Sequence, residues 1–480
     1  MPGASVASSV SGLTNTILGA GMLALPHAFS EMGWLLGSIL TLLCAASTLL
    51  GLYLLKLSTI KMGGAKSFFD LGHRILPKYV WAFDALISFK CFGVTISYLI
   101  ICGNLMPQVM KSLVHAFGSD ASQLPTLLES KVFWILVLLA LLSPMCYVRE
   151  LHSMKLIGYL NIGAVGYLLL ILTYFAISPH ANAQLPPAGE LHAIRWGMGM
   201  VRTFPILVFA YTCAQNIISV YNELQDSTLE RSNLVNVVSI GFSAITYLFV
   251  GLIGYLTFGS SVADNIIAMY PDQGLFVCIG KICVIILTLS SYPVQLYPSR
   301  ASFISLIQTY VFWRTRISTA PDEHSSLVDR ESQSPTNVWP VTEWRWRIIT
   351  TVLIVVGVII AVCVDNLSVV LGFVGAIGGT TVSFILPSLI YLHLFHEESH
   401  STMYILSLVL GGVRFCSIYN LTLTVGCDRA CCFTCCKLLQ SRSLNFQTCM
   451  SKDLENPFAV VGAQCFQLIR VPREQQPGIT

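Results

Sequence analysis

Thirteen residues near the N-terminus, Thr14-Asn15-Thr16-Ile17-Leu18-Gly19-Ala20-Gly21-Met22-Leu23-Ala24-Leu25-Pro26, carry features that a plain membrane helix does not need. Gly19 and Gly21 flank Ala20, and glycine loses more backbone freedom on ordering than any other residue. Pro26 has no amide to give the carbonyl four residues back. Irregular backbone at membrane depth survives only where it faces protein or a water-filled cavity. A helix interrupted at Gly19, Ala20 and Gly21 would free amides at the positive end of a half-helix, where they could meet a carboxylate. Burying either end of a zwitterion unpaired is costly, so such a break suits a small zwitterionic ligand. Asn15 and Thr16, one turn earlier, offer the oxygens that a small hard cation prefers, although the same groups serve helix packing. Glycine and proline also occur in ordinary membrane helices, so an unbroken span is the competing reading.

Three further places carry polar groups inside apolar sequence. The run Phe209-Ala210-Tyr211-Thr212-Cys213-Ala214-Gln215-Asn216 is polar for a membrane centre. Thr212 and Gln215 either line a cavity opposite the first break or bond across helices. Ser290 and Ser291, shortly before Pro293, could complete a cation site with Asn15. Asp84 and Lys90 lie six residues apart in one apolar stretch, so they do not face each other on one helix. Each needs a partner from elsewhere or a place near the interface, and Asp84 is a proton-relay candidate.

The elements that position these groups follow from composition. The chain has 480 residues, 54% hydrophobic and 11% charged, with a mean hydropathy of +0.71. Soluble domains are about a quarter charged, so the bulk of this chain is expected in lipid. Spans of about 20 residues are predicted at 11–30, 33–55, 79–104, 132–147, 156–177, 203–221, 235–258, 275–297, 346–364, 367–395 and 402–425. The fold expected is an all-α polytopic membrane protein of about 11 transmembrane helices. Arg414 makes the last of these the weakest. The tenth contains Gly372, Gly375, Gly378 and Gly379, a spacing suited to close helix packing. A glycine-broken first span and a proline-containing sixth span fall at matching places if the first ten spans divide as five plus five, the pattern of an inverted repeat with discontinuous first and sixth helices.

With a cytosolic N-terminus, the inside loops hold 14 Lys and Arg against 4 outside (Lys111, Lys131, Arg195 and Arg202), which favours that orientation. The 301–345 segment then becomes a cytosolic loop within a transmembrane domain spanning 1–426. The 427–480 tail is expected to be disordered. No charge precedes Glu31, so no cleavable signal peptide is expected. Most of the 16 cysteines sit singly in apolar stretches and do not form a disulfide framework. Cys427, Cys431, Cys432, Cys435 and Cys436 are open to three readings: a metal site lacking its matching half, a lipidated juxtamembrane stretch, or a tail without a packed role. No nucleotide-binding loop, metalloprotease helix or nucleophile elbow is present in the required context. No enzyme activity, nucleic-acid partner, cofactor or metal is therefore assigned.

Residues 15–26 resemble the first-helix signature of the amino acid/auxin permease family. That family includes the sodium-coupled neutral amino acid transporters of animals and the vacuolar amino acid transporters of fungi. Phe209 to Glu223 followed by Leu224 agrees with the same family. So do Gly254-Tyr255-Leu256-Thr257-Phe258-Gly259 with Asn265-Ile266, and Tyr292-Pro293 with Tyr297-Pro298-Ser299-Arg300. The resemblance covers roughly residues 10–395. It implies an eleven-span fold with a five-plus-five inverted repeat, a cytosolic N-terminus, and amino-acid movement driven by an ion gradient. It carries substrate contacts to Gly19, Ala20, Gly21 and the sixth span. In sodium-coupled members it carries cation contacts to Asn15 and to a hydroxyl such as Ser290 or Ser291. Where many relatives have His after Cys in the sixth span, this chain has Ala214, and beyond Glu398 the match fades. The substrate expected is a neutral amino acid, because the proposed cavity segments offer no charged partner. Proton coupling in a vacuolar or lysosomal membrane is favoured. Sodium coupling at the plasma membrane is the alternative, and an amino-acid-sensing receptor with little flux is the second.

Overall fold

The computed structural model describes residues 4–116, 125–147, 155–272, 274–318, 341–398 and 401–411. Met1–Thr422 form one compact unit, and Leu423–Thr480 lie wholly outside the described residues. The five clustered cysteines, the 427–480 tail, residues 319–340 of the expected loop and most of the 402–425 segment lie outside them too.

The first span is broken. Helix α1 (Val6–Ile17) is capped by the Ser5 hydroxyl, which accepts from the Ser8 amide, and it ends where the Leu18 amide donates to the Thr14 carbonyl. Gly19 is extended (φ −139°), a 3-10 turn occupies Ala20–Ala24, and helix α2 (Leu25–Met32) resumes. Pro26 falls in the first turn of α2, where its missing amide costs nothing. The proline therefore starts the second half-helix. Gly33 ends it at φ +85°, and a Cβ there would lie 2.6 Å from the Ala193 carbonyl oxygen, so only glycine fits this turn into α3 (Trp34–Lys61).

A short helix α4 (Phe68–Ile75) follows, then α5 (Val80–Ala116), α6 (Lys131–Cys146) and α7 (Lys155–Ile177). The sixth span is also divided, into α8 (Met198–Ala210) and α9 (Ala214–Glu223), with Tyr211, Thr212 and Cys213 between them. Next come α10 (Leu229–Phe258), α11 (Leu275–Ser318) and α12 (Glu343–Cys363). The tenth span opens with α13 (Leu367–Val374), loosens into π-helical turns at Gly375–Gly379 and Thr381–Ile385, and closes with α14 (Leu386–Leu394). One apolar helix, Thr402–Gly411, remains.

With the sixth span (Met198–Glu223) and the tenth (Leu367–Leu394) each counted as one, eight of the described helical segments are long and apolar enough to cross a membrane, rather than the eleven expected. The difference is one of length. The first span is split into two short halves, while Lys131–Cys146 and Thr402–Gly411 are apolar helices of 10–17 residues. Two spans overrun their expected ends. Helix α5 has 37 residues, about 55 Å at 1.5 Å per residue, well beyond a hydrocarbon core. Helix α11 has 44 residues and runs through Pro293 and Pro298 to Ser318, so the first part of the expected 301–345 loop is helix.

Burial separates the centre of the bundle from its rim. In α5, the sixth span and the tenth span, 78% of the most apolar window is buried, against 39% in α3, α7 and α12. The rim helices turn Leu42, Leu43, Tyr159, Leu170 and Ile359 outward, as helices surrounded by lipid do. The central helices approach closely because glycine removes side chains at their crossings. A Cβ on Gly93 of α5 would overlap Val374, and one on Gly251 of α10 would press on Phe29.

Candidate substrate cavity between the two broken helices

Both breaks face one small cavity of about 20 Å³, room for about one water molecule. Thr16, Ile17, Gly19, Ala20 and Gly21 of the first span line it, with Phe209, Ala210 and Thr212 of the sixth. Helix α5 adds Lys90, Val94 and Tyr98, and α11 adds Gln295.

The backbone around the break supplies the donors that sequence analysis expected. Among the described residues, the amides of Gly19, Ala20 and Gly21 have no backbone acceptor. One side chain holds a carbonyl at each break. Tyr247 of α10 places its hydroxyl 2.6 Å from the Ile17 carbonyl oxygen and 2.9 Å from that of Ala210, so a single O–H serves the ends of both α1 and α8. Tyr247 is fully buried, and its ring meets Tyr211 edge-on at 5.0 Å. An unpaired carbonyl in this setting would cost about 1–3 kcal/mol, and this contact avoids that at both breaks.

Gly21 explains why the two half-helices come together. A Cβ on it would lie 2.9 Å from Ala210 Cα and 3.1 Å from Ala210 Cβ, so backbone packs on backbone there. Gly19 is different: a Cβ on it would reach the Tyr98 hydroxyl at 3.5 Å, an ordinary contact. From behind the sixth span, the loosened tenth span presses inward. A Cβ on Gly375 would collide with the Pro205 carbonyl, and one on Gly379 would lie 3.1 Å from Thr212 Oγ1.

The predicted site residues divide into those at the cavity and those away from it. Gly19, Ala20, Gly21, Thr16 and Thr212 line it. The Thr16 and Thr212 hydroxyls donate to carbonyls in their own helices, Gly12 and Val208. Gln215 is buried in the first turn of α9, with neither amide atom partnered, but it is not among the lining residues. Asn15 leaves its Oδ1 buried and unpartnered, and a Cβ on Gly158 of α7 would lie 4.0 Å from Asn15 Nδ2. The Ser290 hydroxyl lies 3.0 Å from Asn161 Oδ1, also on α7, and from the Leu287 carbonyl. Asn15 and Ser290 therefore both approach α7, while Ser291 pairs with the Tyr98 hydroxyl. Asp84 is fully buried near the start of α5, where it pairs with His73 Nε2 at 3.2 Å and accepts from the Ser305 hydroxyl. That places it away from the cavity.

Lys90, Tyr98, Gln295 and Tyr247 went unassigned to the site in the sequence. For Lys90 and Gln295 a signal existed, a polar group inside an apolar span. For the tyrosines there was none. Among the described residues, no group of three or more His, Cys, Asp or Glu side chains is placed to hold a metal ion.

Comparison with known proteins agrees with this architecture. Vacuolar amino acid transporter 6 of Saccharomyces cerevisiae is 32% identical over 427 residues, covering 83% of this chain and 92% of that protein. Vacuolar amino acid transporter 5 of Schizosaccharomyces pombe is 33% identical over 392 residues, covering 81% and 84%. Sodium-coupled neutral amino acid transporter 7 of Xenopus laevis is 23% identical, covering 83% of each. In fold, the chain is similar to the crystal structure of MhsT in complex with L-phenylalanine, with a TM-score of 0.54 at 12% identity over 88% of this chain and 99% of that one. The family model described as transmembrane amino acid transporter protein matches residues 2–425. The chain belongs to that family of membrane transporters, which are not enzymes.

Proposed function

We propose that this protein moves amino acids across a membrane by alternating access, driven by a proton gradient. The observation that carries this reading is the pairing of two interrupted helices across one cavity, with free amides on the first break. Unsatisfied backbone at mid-membrane has a use where a charged ligand completes it. A cavity the size of one water cannot take an amino acid as it stands. Loading therefore requires the halves to move apart, which is what alternating access supplies.

Eleven spans, a five-plus-five inverted repeat and a cytosolic N-terminus fit this reading, with the split first span and the short helices Lys131–Cys146 and Thr402–Gly411 counted among the spans. Similarity to the vacuolar transporters supports a vacuolar or lysosomal membrane, and protons are the gradient that such an acidic compartment offers. Sodium coupling is the second reading, favoured by the unpartnered Asn15 Oδ1 and by Ser290 approaching the same helix. The expectation of a neutral substrate rested on the absence of a charged partner in the cavity segments, and Lys90 removes that premise.

Uptake of labelled amino acids into proteoliposomes, under an imposed pH gradient or an imposed sodium gradient, tests the proposal. Accumulation driven by the pH gradient, with counterflow of preloaded substrate, is expected. Stimulation by sodium at constant pH would replace the proton with sodium. Saturable binding without any uptake would make the protein a receptor.

A further inference from the structure

Lys90 is the one charged side chain among the cavity-lining residues. It is 1% exposed. Its stem is fixed: a Cβ on Gly378, in the π-helical turn of the tenth span, would lie 2.5 Å from Lys90 Cβ and 2.9 Å from its Cα. No Asp or Glu lines the cavity with it. The one acidic residue of α5, Asp84, is six residues away, about 9 Å along the axis, and already holds His73 and Ser305. A buried ammonium without a counter-charge is among the most costly arrangements in a protein, more so in a membrane.

A zwitterionic amino acid does not relieve this, because it brings no net charge. Its α-carboxylate can be met by the amides of Gly19, Ala20 and Gly21. Its ammonium can be met by Gln295 Oε1, which is buried and unpartnered. Lys90 is then left over. An amino acid with a second carboxylate carries one negative charge, and in the same cavity the sum becomes zero.

We propose that Lys90 is the specificity-determining residue of the cavity and selects amino acids whose side chain bears a carboxylate. This rests on the reading of the protein as an amino-acid transporter and adds the charge class of its substrate.

Glutamate and glutamine have nearly the same shape and differ by one charge, as do aspartate and asparagine. With these four labelled probes, proteoliposomes containing the full chain, held at zero membrane potential, are expected to take up each acid at least tenfold faster than its amide at subsaturating concentration. Lys90→Met is expected to bring that ratio close to one by weakening the acids. Val94→Asp sets a carboxylate one helical turn from Lys90 on the same cavity wall and is expected to do the same without removing the lysine. It serves if the methionine variant does not fold. Faster uptake of the amides by the unaltered protein, or an unchanged ratio in both variants, overturns the assignment. Loss of all four substrates from a correctly inserted Lys90→Met protein overturns it as well, since charge selection predicts a change of ratio. If the unaltered protein moves no amino acid at all, the transporter reading itself fails. If it moves acids and amides equally, only the charge selection does.

Discussion

The two broken helices look alike in outline and are made differently. The first break carries glycines at its own centre, Gly19 and Gly21, and a proline that starts its second half. The sixth break, at Tyr211, Thr212 and Cys213, contains no glycine, and the proline of that span, Pro205, sits inside α8. What opens the sixth span comes from its neighbours: Gly375 and Gly379 let the tenth span press against Pro205 and Thr212. The first break is thus written locally and the sixth is imposed by packing. The two are joined at Tyr247, whose single hydroxyl serves Ile17 and Ala210. The difference suggests that the first break is the ligand-gripping element and the sixth is the wall it closes against.

The largest effect is expected at Gly21. Gly21→Val drives a branched side chain into Ala210 Cα at a site where backbone already meets backbone. Transport should be abolished while membrane insertion, read by surface or vesicle protein level, is retained. Gly19→Ala is the control within the same break, because its Cβ makes an ordinary 3.5 Å contact with Tyr98. A substantial fraction of uptake should survive there. Equal damage from both would erase the distinction between gripping and packing glycines.

Tyr247→Phe comes next. It removes the donor shared by the two breaks and leaves buried carbonyls unpaired, at about 1–3 kcal/mol. Uptake should fall about tenfold or more, with a lowered melting temperature in detergent. Unchanged transport would show that the two breaks are not coupled through this hydroxyl.

Asn15→Ala should act on ion dependence more than on maximal rate, because Asn15 lies one turn before the break with its Oδ1 unpartnered. The test is the ion concentration giving half-maximal uptake. If that does not move, Asn15 belongs to helix packing against α7.

The smallest effect is expected outside the membrane helices, at Asp365. The Lys131 side chain donates to it at 2.8 Å, and that bond, then the charge, holds the Asp365 carboxyl below its ordinary value of 3.8. A depressed carboxylate contributes stability that is complete above its unfolded value and lost as the pH falls through its folded value. The pair should therefore persist from neutral pH down to about pH 5, the range of an acidic compartment. Asp365 is largely exposed, so Asp365→Asn should produce only a slight change in melting temperature, equal at both ends of that range. A change that vanished at the acidic end would mean that the pair titrates higher than its surroundings imply.

The same contrast explains what could be read from the sequence. The first break was legible because glycine and proline announce backbone that will not run on as a helix. Discontinuity in the sixth span was foreseen from Pro205 and the matched halves, but its position was not, because the break depends on glycines about 170 residues further along. Hydropathy located the spans and misjudged their lengths. Helix α11 continues into polar sequence because Arg300 is buried and bonded to the Cys146 carbonyl and to Thr350, a tertiary contact invisible to any local window. Thr16 was read as an oxygen for a cation and Thr212 as either lining a cavity or bonding across helices; both line the cavity, with their hydroxyls turned to Gly12 and Val208. Lys90 was noticed as a lone charge but could not be assigned, since only the crossing with Gly378 shows which way it faces. Asp84 carried the same signal and holds His73 near the start of α5, away from the cavity.

The central claim is that the first span stops being a helix between Leu18 and Ala20 so that its bare amides can hold an amino acid against the sixth span. A density map of the protein in a bilayer disc with saturating amino-acid substrate tests this most directly. The account predicts substrate density touching the backbone at Gly19, Ala20 and Gly21, with Phe209, Ala210 and Thr212 on its far side. A continuous first helix packed without space against its neighbours, or substrate bound elsewhere while this break stays empty, would contradict it.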